Sequence, residues 1–256
     1  MKFKPKMLGQ KIEINGLNIH YVKVGTGPEK VLLLPGGLGT SQTDFSDQLS
    51  SFDPNVFTLI AWDPPGYGYS RPPERDWRLE IYAIDADLAA KLMQKLGINF
   101  YSILGWSDGA KTALQMAIKY QSVINKTVIW GVGCFCKPEN IRALYATRNV
   151  KVWNPRVREP FESVYGNELQ TLWGRLVDFY QSTMLNWTLK SEIKRIHCPT
   201  FILHGDIDPL IDLEHPNYLL SHISDSRLHR FADGSHNIHQ EFAKQFNQLV
   251  QDFLLE

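Results

Sequence analysis

A serine between two glycines stands where the sequence predicts that a strand meets a helix. The segment reads Gly105-Trp106-Ser107-Asp108-Gly109, and a serine in such a sharp turn leaves no room for side chains two residues before or after it. The turn brings the hydroxyl to a helix N-terminus, where backbone amides and the helix dipole favour the negative charge of an oxyanion. The pattern predicts that Ser107 is a nucleophile. The alternative is a serine that only caps a helix in a glycine-rich turn.

A serine hydroxyl is a weak nucleophile that needs a histidine base, and the histidine needs a carboxylate to orient it. When the nucleophile lies in a strand–turn–helix segment, the acid and then the histidine follow later in the chain. His236 comes after the last predicted strand, whereas His229 lies inside that strand and His239 lies one helical turn further on. We therefore predict that His236 is the base. The loop after an earlier strand offers two carboxylates as the acid, Asp206 and Asp208.

The negative charge formed during ester cleavage requires two backbone N–H groups held about 3 Å from the oxygen that carries it. One is expected from the amide of Asp108, the residue that follows the nucleophile. We assign the other to the amide of Gly37, in a glycine-rich loop at residues 35–39, and expect the adjacent Leu38 to contact substrate. Glycines also serve ordinary tight turns, which is the alternative for this loop.

Short apolar runs alternate with helical patterns along most of the chain, which is typical of strands and helices alternating around a mostly parallel sheet. Asn15-Gly16 predicts a tight turn that opens the chain with a hairpin. The predicted strands are 11–14, 17–23, 31–34, 57–62, 100–106, 127–131, 200–204 and 228–231, and the predicted helices are 81–96, 109–120 and 238–253.

The alternation stops at about residue 133 and resumes at about residue 190. This stretch has no buried-strand pattern and is rich in aromatic residues, including Trp153 and Trp173. We interpret residues 133–190 as a helical cap inserted after a sheet strand, with residues 1–132 and 191–256 forming the core domain. Some of the cap aromatics are expected to line a substrate pocket.

The composition excludes two classes of partner. Lysine plus arginine and aspartate plus glutamate each number 27, so no basic field exists to hold nucleic acid or an anionic membrane. No stretch approaches the ~20 apolar residues that a membrane span needs. We expect a monomer that acts on a small-molecule ester.

The cysteines and the start of the chain bear on cofactors and on the cellular compartment. Three cysteines form neither a disulfide framework nor a zinc-binding spacing, so we interpret them as packing residues and expect no metal, nucleotide or redox cofactor. The basic start at residues 1–6 has no apolar run behind it, unlike a secretory signal. We expect a cytoplasmic protein, or a mitochondrial one if a transit peptide has been removed.

Several segments together resemble the α/β-hydrolase superfamily, and within it the biphenyl hydrolase-like (valacyclovir hydrolase) family. They are the 105–109 and 35–39 segments, Ala61-Trp62-Asp63-Pro64, Ile129-Trp130-Gly131, His204-Gly205 with Asp208-Pro209-Leu210, and Ser226-Arg227-Leu228-His229. The resemblance implies the α/β-hydrolase fold and cleavage of α-amino-acid esters. It implies a triad of Ser107, Asp208 and His236, which makes Asp206 a turn residue, and it assigns Asp108 to the substrate ammonium. Pro35 and Pro65 depart from the superfamily pattern, and Pro65 raises the question of how its loop is anchored.

Asp108 has a physical argument of its own. A carboxylate beside an oxyanion hole opposes the negative charge that forms there, and a positively charged substrate group would offset this repulsion. The alternative is that aspartate suits the first turn of a helix. Other functions left open are a capped carbon–carbon bond hydrolase, a general carboxylesterase, and a binding module on a hydrolase scaffold. Asp108 would repel the acidic substrates of a carbon–carbon bond hydrolase. A binding module on a hydrolase scaffold commonly lacks a triad member.

Overall fold

Eight strands form one sheet in the computed structural model, which describes residues 9–256. The basic start considered above therefore lies outside the described residues. The strands are β1 Gln10–Ile14, β2 Leu17–Val24, β3 Glu29–Leu34, β4 Phe57–Trp62, β5 Tyr101–Trp106, β6 Ile124–Trp130, β7 Thr200–Gly205 and β8 Ser226–Phe231.

The sheet order is β1-β2-β4-β3-β5-β6-β7-β8. The β1–β2 and β2–β4 pairs are antiparallel, and every pair from β4–β3 to β7–β8 is parallel. Asn15 and Gly16 both have positive φ, as a two-residue turn between β1 and β2 requires. The central strands are buried along their whole length, which explains why they are continuous apolar runs in the sequence. The predicted α/β class with a mostly parallel sheet is confirmed.

Helices cover the sheet and are inserted between β6 and β7. They are α1 Ser41–Ser51, α2 Ile81–Lys95, α3 Asp108–Lys119, α4 Pro138–Ala146, α5 Pro155–Tyr165, α6 Leu169–Thr183, α7 Glu214–His222, α8 Ile238–Glu241 and α9 Ala243–Leu255. Among residues 9–256, no helix is long and apolar enough to cross a membrane.

The closing helix and two further helices differ from the sequence expectation. The predicted helix 238–253 is wrong as a single element, because Phe242 has non-helical φ and ψ of −118° and 37° and separates α8 from α9. The sequence reading also missed α1 and α7. The first is mostly polar, and Thr40 begins it by accepting hydrogen bonds from the amides of Gln42 and Thr43.

The insertion between β6 and β7 contains α4, α5 and α6. Among the described residues, its only strand-type pairing is an isolated bridge between Phe135 and Thr188. This agrees with the predicted loss of strand pattern, whereas the boundaries of the cap at residues 133 and 190 stay a prediction. The three cysteines are free, and Cys134 is buried in the core.

Candidate active site

Ser107 lies in a strained turn between β5 and α3, with φ of 53° and ψ of −117°. The flanking glycines are required by sterics. A Cβ on Gly105 would lie 2.7 Å from the Cα of Ala110, and one on Gly109 would lie 2.0 Å from the carbonyl oxygen of Leu34. The serine is held in a conformation that costs about 1–3 kcal/mol for a non-glycine residue, which surrounding packing must support.

The three residues assigned to the triad form one hydrogen-bonded chain. The Nε2 atom of His236 lies 3.1 Å from the Oγ of Ser107, and its Nδ1 atom lies 2.8 Å from Oδ2 of Asp208. The other oxygen of Asp208 accepts hydrogen bonds from the amides of Leu210 and Ile211, at 2.8 and 3.1 Å. The carboxylate is therefore fixed toward the imidazole, although the residues come from three separate loops.

Asp208 is almost fully buried, with 1% of its side chain exposed. Burial raises the pKa of this carboxyl group, but His236 and the two amide hydrogen bonds oppose burial more strongly, so the pKa lies below its ordinary value. Asp208 is thus held as a carboxylate, the form that can accept a hydrogen bond from the Nδ1–H group of His236.

The structure separates the rivals for the acid and the base. Asp206 forms a two-bond pair with the guanidinium of Arg230, at 2.7 and 2.9 Å, instead of binding its own backbone as expected of a turn residue. His229 lies in β8. His239 is fully buried and its Nδ1 accepts a hydrogen bond from Trp130, while burial lowers its pKa to about 3. His239 is therefore a neutral packing residue.

The loop that follows β3 presents Gly37 to the same cavity as Ser107 and Asp108. Within the described chain, the amides of Gly37 and Asp108 donate no hydrogen bond to another group, which leaves both N–H groups available for an oxyanion. The loop is held by Asp44, whose Oδ2 accepts a hydrogen bond of 2.8 Å from the amide of Gly36. Sequence reading missed Asp44 because it lies in the unpredicted α1.

Leu38, the residue expected to contact substrate, packs in the interior of the protein. It is buried, with φ of 56°, and packs in a cluster with Tyr67 and Phe161. Its carbonyl oxygen accepts a hydrogen bond of 2.7 Å from the hydroxyl of Tyr165. Leu38 is absent from the cavity wall formed by the described residues, and its side chain packs in this cluster. The expected contact with substrate therefore has no support in the structure.

The loop that contains Pro65 is anchored by a residue from outside it. The guanidinium of Arg75 donates to the carbonyl oxygen of Pro65 at 3.0 Å and pairs with the buried carboxylate of Asp85. Arg75 also stacks on Tyr67, with 4.6 Å between the guanidinium carbon and the ring centre. Arg75, ten residues later in the chain, thus holds the loop that contains Pro65.

Asp108 lies at the start of α3 with 7% of its surface exposed, and its carboxylate has several donors. Its Oδ1 atom accepts hydrogen bonds from the hydroxyl of Tyr82 at 2.9 Å, from the ammonium of Lys111 at 2.8 Å and from the hydroxyl of Tyr180. Burial raises the pKa of Asp108, but Lys111 and the hydrogen bonds outweigh it and hold the pKa below its ordinary value.

Lys111 was not singled out from the sequence. Its ammonium lies 4.9–5.8 Å from the ring centres of Tyr82, Tyr180 and Trp187, so three aromatic rings surround it. The spacing of three residues between Asp108 and Lys111 on one helix was the available signal for the ion pair. The rings come from α2, α6 and a later loop, which no local pattern could connect.

The second oxygen of Asp108 lies beside the loop that contains Gly37. A Cβ built on Gly37 would lie 3.4 Å from Oδ2, and among the described residues all hydrogen bonds to this carboxylate go to Oδ1. Asp108 and Gly37 both line the cavity. The Oδ2 atom is therefore the part of the carboxylate that a bound molecule could reach.

The cavity above Ser107 has a volume of about 330 Å³, within the range of small-ligand pockets. One wall is polar and holds Ser107, His236 and Asp108, whereas the opposite wall comes from the insertion. The side chains of that wall are mostly apolar and include Leu144, Trp153, Val157, Phe161, Trp173, Leu176 and Tyr180. The site can thus bind a small, largely apolar molecule against an activated serine.

Comparisons with known proteins identify the fold and the family of the chain. A family model described as the alpha/beta hydrolase fold matches residues 30–153. Serine hydrolase BPHL from Mus musculus is 41% identical, covering 98% of this chain and 88% of that protein, and BPHL from Homo sapiens is 38% identical with the same coverage.

More distant similarity extends to hydrolases of ring-cleavage products. The 2-hydroxy-6-oxo-6-phenylhexa-2,4-dienoate hydrolase of Comamonas testosteroni is 26% identical, covering 94% of this chain and 93% of that protein. The solved structure of a meta-cleavage product hydrolase from Pseudomonas fluorescens matches with a TM-score of 0.81 and 21% identity, covering 96% of this chain and 97% of that one. The latter similarity establishes the fold alone, whereas the BPHL similarity spans nearly the full chain. The chain therefore belongs to the BPHL family of serine hydrolases, which has the alpha/beta hydrolase fold.

Proposed function

We propose that this serine hydrolase cleaves small carboxylic esters through an acyl-enzyme, with Ser107 as nucleophile, His236 as base and Asp208 as the orienting acid. The observation that carries the proposal is the continuous chain of hydrogen bonds from Ser107 Oγ through both nitrogens of His236 to a buried carboxylate. This arrangement lets a hydroxyl lose its proton as it attacks, and the carboxylate stabilises the imidazolium that results.

The reaction follows from these positions. As the Oγ of Ser107 bonds to the ester carbonyl carbon, its proton passes to Nε2 of His236, and the carbonyl oxygen becomes an oxyanion facing the amides of Gly37 and Asp108. Collapse of this intermediate breaks the bond to the alcohol, which takes the proton from His236. Water then attacks the acyl-enzyme by the same steps, with His236 as base, and releases the acid and the free serine.

The substrate class we propose is the α-amino-acid ester with a free amino group. The nitrogen of an α-ammonium group is two bonds away from the acyl carbon of that ester, and Asp108 is joined directly to the residue that attacks this carbon. Support comes from Oδ2 of Asp108, which lies beside Gly37 on the cavity wall without a hydrogen bond from the described residues. A charge-assisted hydrogen bond from the ammonium would contribute about 1.5–3 kcal/mol.

Labelling and turnover test the nucleophile. A fluorophosphonate probe should modify the wild-type protein and fail to modify folded Ser107→Ala. Ser107→Ala and His236→Ala should each lower kcat by several powers of ten, with near-normal circular dichroism spectra. Near-normal ester turnover by folded Ser107→Ala would refute the assignment of the nucleophile.

Substrate pairs test the amine site. Asp108→Asn keeps the side-chain size and the backbone amide, so it removes mainly the negative charge. We expect it to lower kcat/KM for a free amino-acid ester by about ten- to a hundred-fold, and to leave the N-acetylated ester unaffected or faster. The two esters and two proteins form a double-mutant cycle between carboxylate and ammonium. Equal slowing of both esters would point to a general carboxylesterase in which Asp108 only supports the fold.

A further inference from the structure

The carboxylate assigned to the substrate ammonium already has a cationic partner within the chain. Lys111 lies one helical turn after Asp108, and its Nζ atom is 2.8 Å from Oδ1. Only 8% of the Lys111 side chain and 9% of the Asp108 side chain are exposed, so water screens this pair weakly. We propose that Lys111 is a specificity-determining residue that limits how strongly Asp108 selects a substrate ammonium. This inference rests on the proposed function.

The ammonium of Lys111 is held in place by several contacts. Its ammonium donates to Asp108 and to the hydroxyl of Tyr180. The rings of Tyr82, Tyr180 and Trp187 surround it at 4.9–5.8 Å. Aromatic rings arranged in this way commonly recognise a ligand's ammonium group. Here the chain's own lysine occupies them, so its positive charge stays beside the cavity in every catalytic cycle.

Lys111 lies close to the position that a substrate ammonium would occupy. A substrate ammonium on Oδ2 would lie no more than about 8 Å from Lys111 Nζ, since each ammonium is within hydrogen-bond range of an oxygen of the same carboxylate. Lys111 also lines the cavity itself. Two positive charges this close in a site with little water repel each other appreciably. Lys111 therefore weakens the binding of an ammonium that Asp108 attracts.

Lys111 also affects the cleavage of uncharged esters. An unpaired Asp108 carboxylate would oppose the oxyanion formed next to it and slow any ester without a positive charge. Pairing with Lys111 offsets this negative charge. The wild-type enzyme should therefore cleave esters with and without an α-ammonium group, and its preference between them should be moderate.

The experiment uses two esters of equal size, the benzyl esters of alanine and lactate, which differ by an ammonium in place of a hydroxyl. At about pH 7 an α-amino group is largely protonated. The measured quantity is the ratio of kcat/KM for the alanine ester to that for the lactate ester. Lys111→Met should raise this ratio at least about tenfold, with the alanine ester faster and the lactate ester slower. Lys119→Met, which breaks an exposed ion pair on the same helix, is the matched control and should leave the ratio unchanged.

A second comparison keeps the test valid if Lys111→Met does not fold, since it leaves a buried carboxylate without its counter-ion. The double variant Asp108→Asn with Lys111→Met has no unpaired charge. Its ratio should exceed that of Asp108→Asn alone, because it also removes the cation that repels the substrate ammonium. An unchanged ratio in folded Lys111→Met, or equal ratios for these two variants, would overturn the role of Lys111.

The outcomes separate this inference from the proposed substrate class. If Asp108→Asn lowers the ratio and Lys111→Met does not change it, the amino-ester class is supported and the role of Lys111 is overturned. If Lys111→Met raises the ratio and Asp108→Asn leaves it unchanged, the role of Lys111 is supported. In that case the lysine neutralises Asp108 fully in the wild type, and the free amino-acid ester is no longer the preferred substrate.

Discussion

Asp44 gives a prediction about stability and pH. Its carboxyl group is buried in α1, where Oδ2 accepts the amide of Gly36 and Oδ1 accepts the hydroxyl of Thr43 at 2.7 Å. Burial raises the pKa of Asp44 from its ordinary value of 3.8 to about 7, although the hydrogen bonds from Thr43 and Gly36 lower it and nearby Asp63 adds to the rise. The perturbation we propose is Asp44→Asn, which keeps an oxygen for Gly36 and cannot ionise.

The direction in which stability changes with pH depends on whether the folded or the unfolded protein binds the Asp44 proton more tightly. Between about pH 4 and pH 7, Asp44 is ionised in the unfolded chain and protonated in the folded protein, so folding takes up a proton and wild-type stability falls as pH rises. The difference of about three pH units between the two pKa values corresponds to about 4 kcal/mol. Relative to Asp44→Asn, the wild type should lose up to about 4 kcal/mol of unfolding free energy between about pH 4 and pH 7. Above about pH 7 the difference between the two proteins should stay constant.

Urea denaturation of both proteins at a series of pH values measures this difference, since the other titrating groups are common to both and cancel. Asp53→Asn, which changes an exposed carboxylate just beyond α1, is the matched control for loss of one charge. If the difference in unfolding free energy between wild type and Asp44→Asn stayed constant or grew with pH, Asp44 would be ionised in the folded protein. The reasoning from burial would then be refuted.

Two further predictions concern the site. Asp208→Asn should lower kcat by about 10⁴-fold because it holds the wrong tautomer of His236. Asp206→Asn should have far less effect because that carboxylate pairs with Arg230 at the surface. Reversed effects in steady-state kinetics would transfer the acid role to Asp206. Trp153→Leu and Trp173→Leu should each change the preference among alcohol leaving groups more than they change the melting temperature, since both indoles line the cavity. A lowered melting temperature with unchanged selectivity would show that these residues serve only packing.

Some features could be predicted because their causes are local. The turn at Ser107 needs small residues at positions 105 and 109 whatever surrounds it, and the Asn15-Gly16 turn has the positive φ values that these residues adopt at low cost. The central strands are buried on both faces, so each is a short apolar run that can be recognised without knowing its neighbours. These signals predicted the order of the strands along the chain and the position of the nucleophile.

Helix α1 could not be predicted from apolar periodicity because much of its buried side is polar. Gln48 of α1 is fully buried and donates to the carbonyl oxygen of His239 and to the side chain of Asn247. Such a polar contact forms only after α1 and α9 have packed together. Its residues are polar, as expected of a solvent-exposed surface, although they are buried in the folded protein. Asp44 was missed for the same reason.

The contacts of the charged residues at the candidate site also depend on the tertiary structure. The sequence placed Asp206 and Asp208 two positions apart in one loop, and only the fold directs one toward Arg230 and the other toward His236. It likewise placed Lys111 three residues after Asp108 without indicating the rings around it. The sequence by itself predicted the fold class and the turn at Ser107 from apolar patterns and local sterics, and it predicted His236 as the base from its position after the last strand; of these, the fold class is confirmed. The partners of each charge were decided by tertiary packing, because electrostatic interaction depends on distance and burial in space and not on separation along the chain.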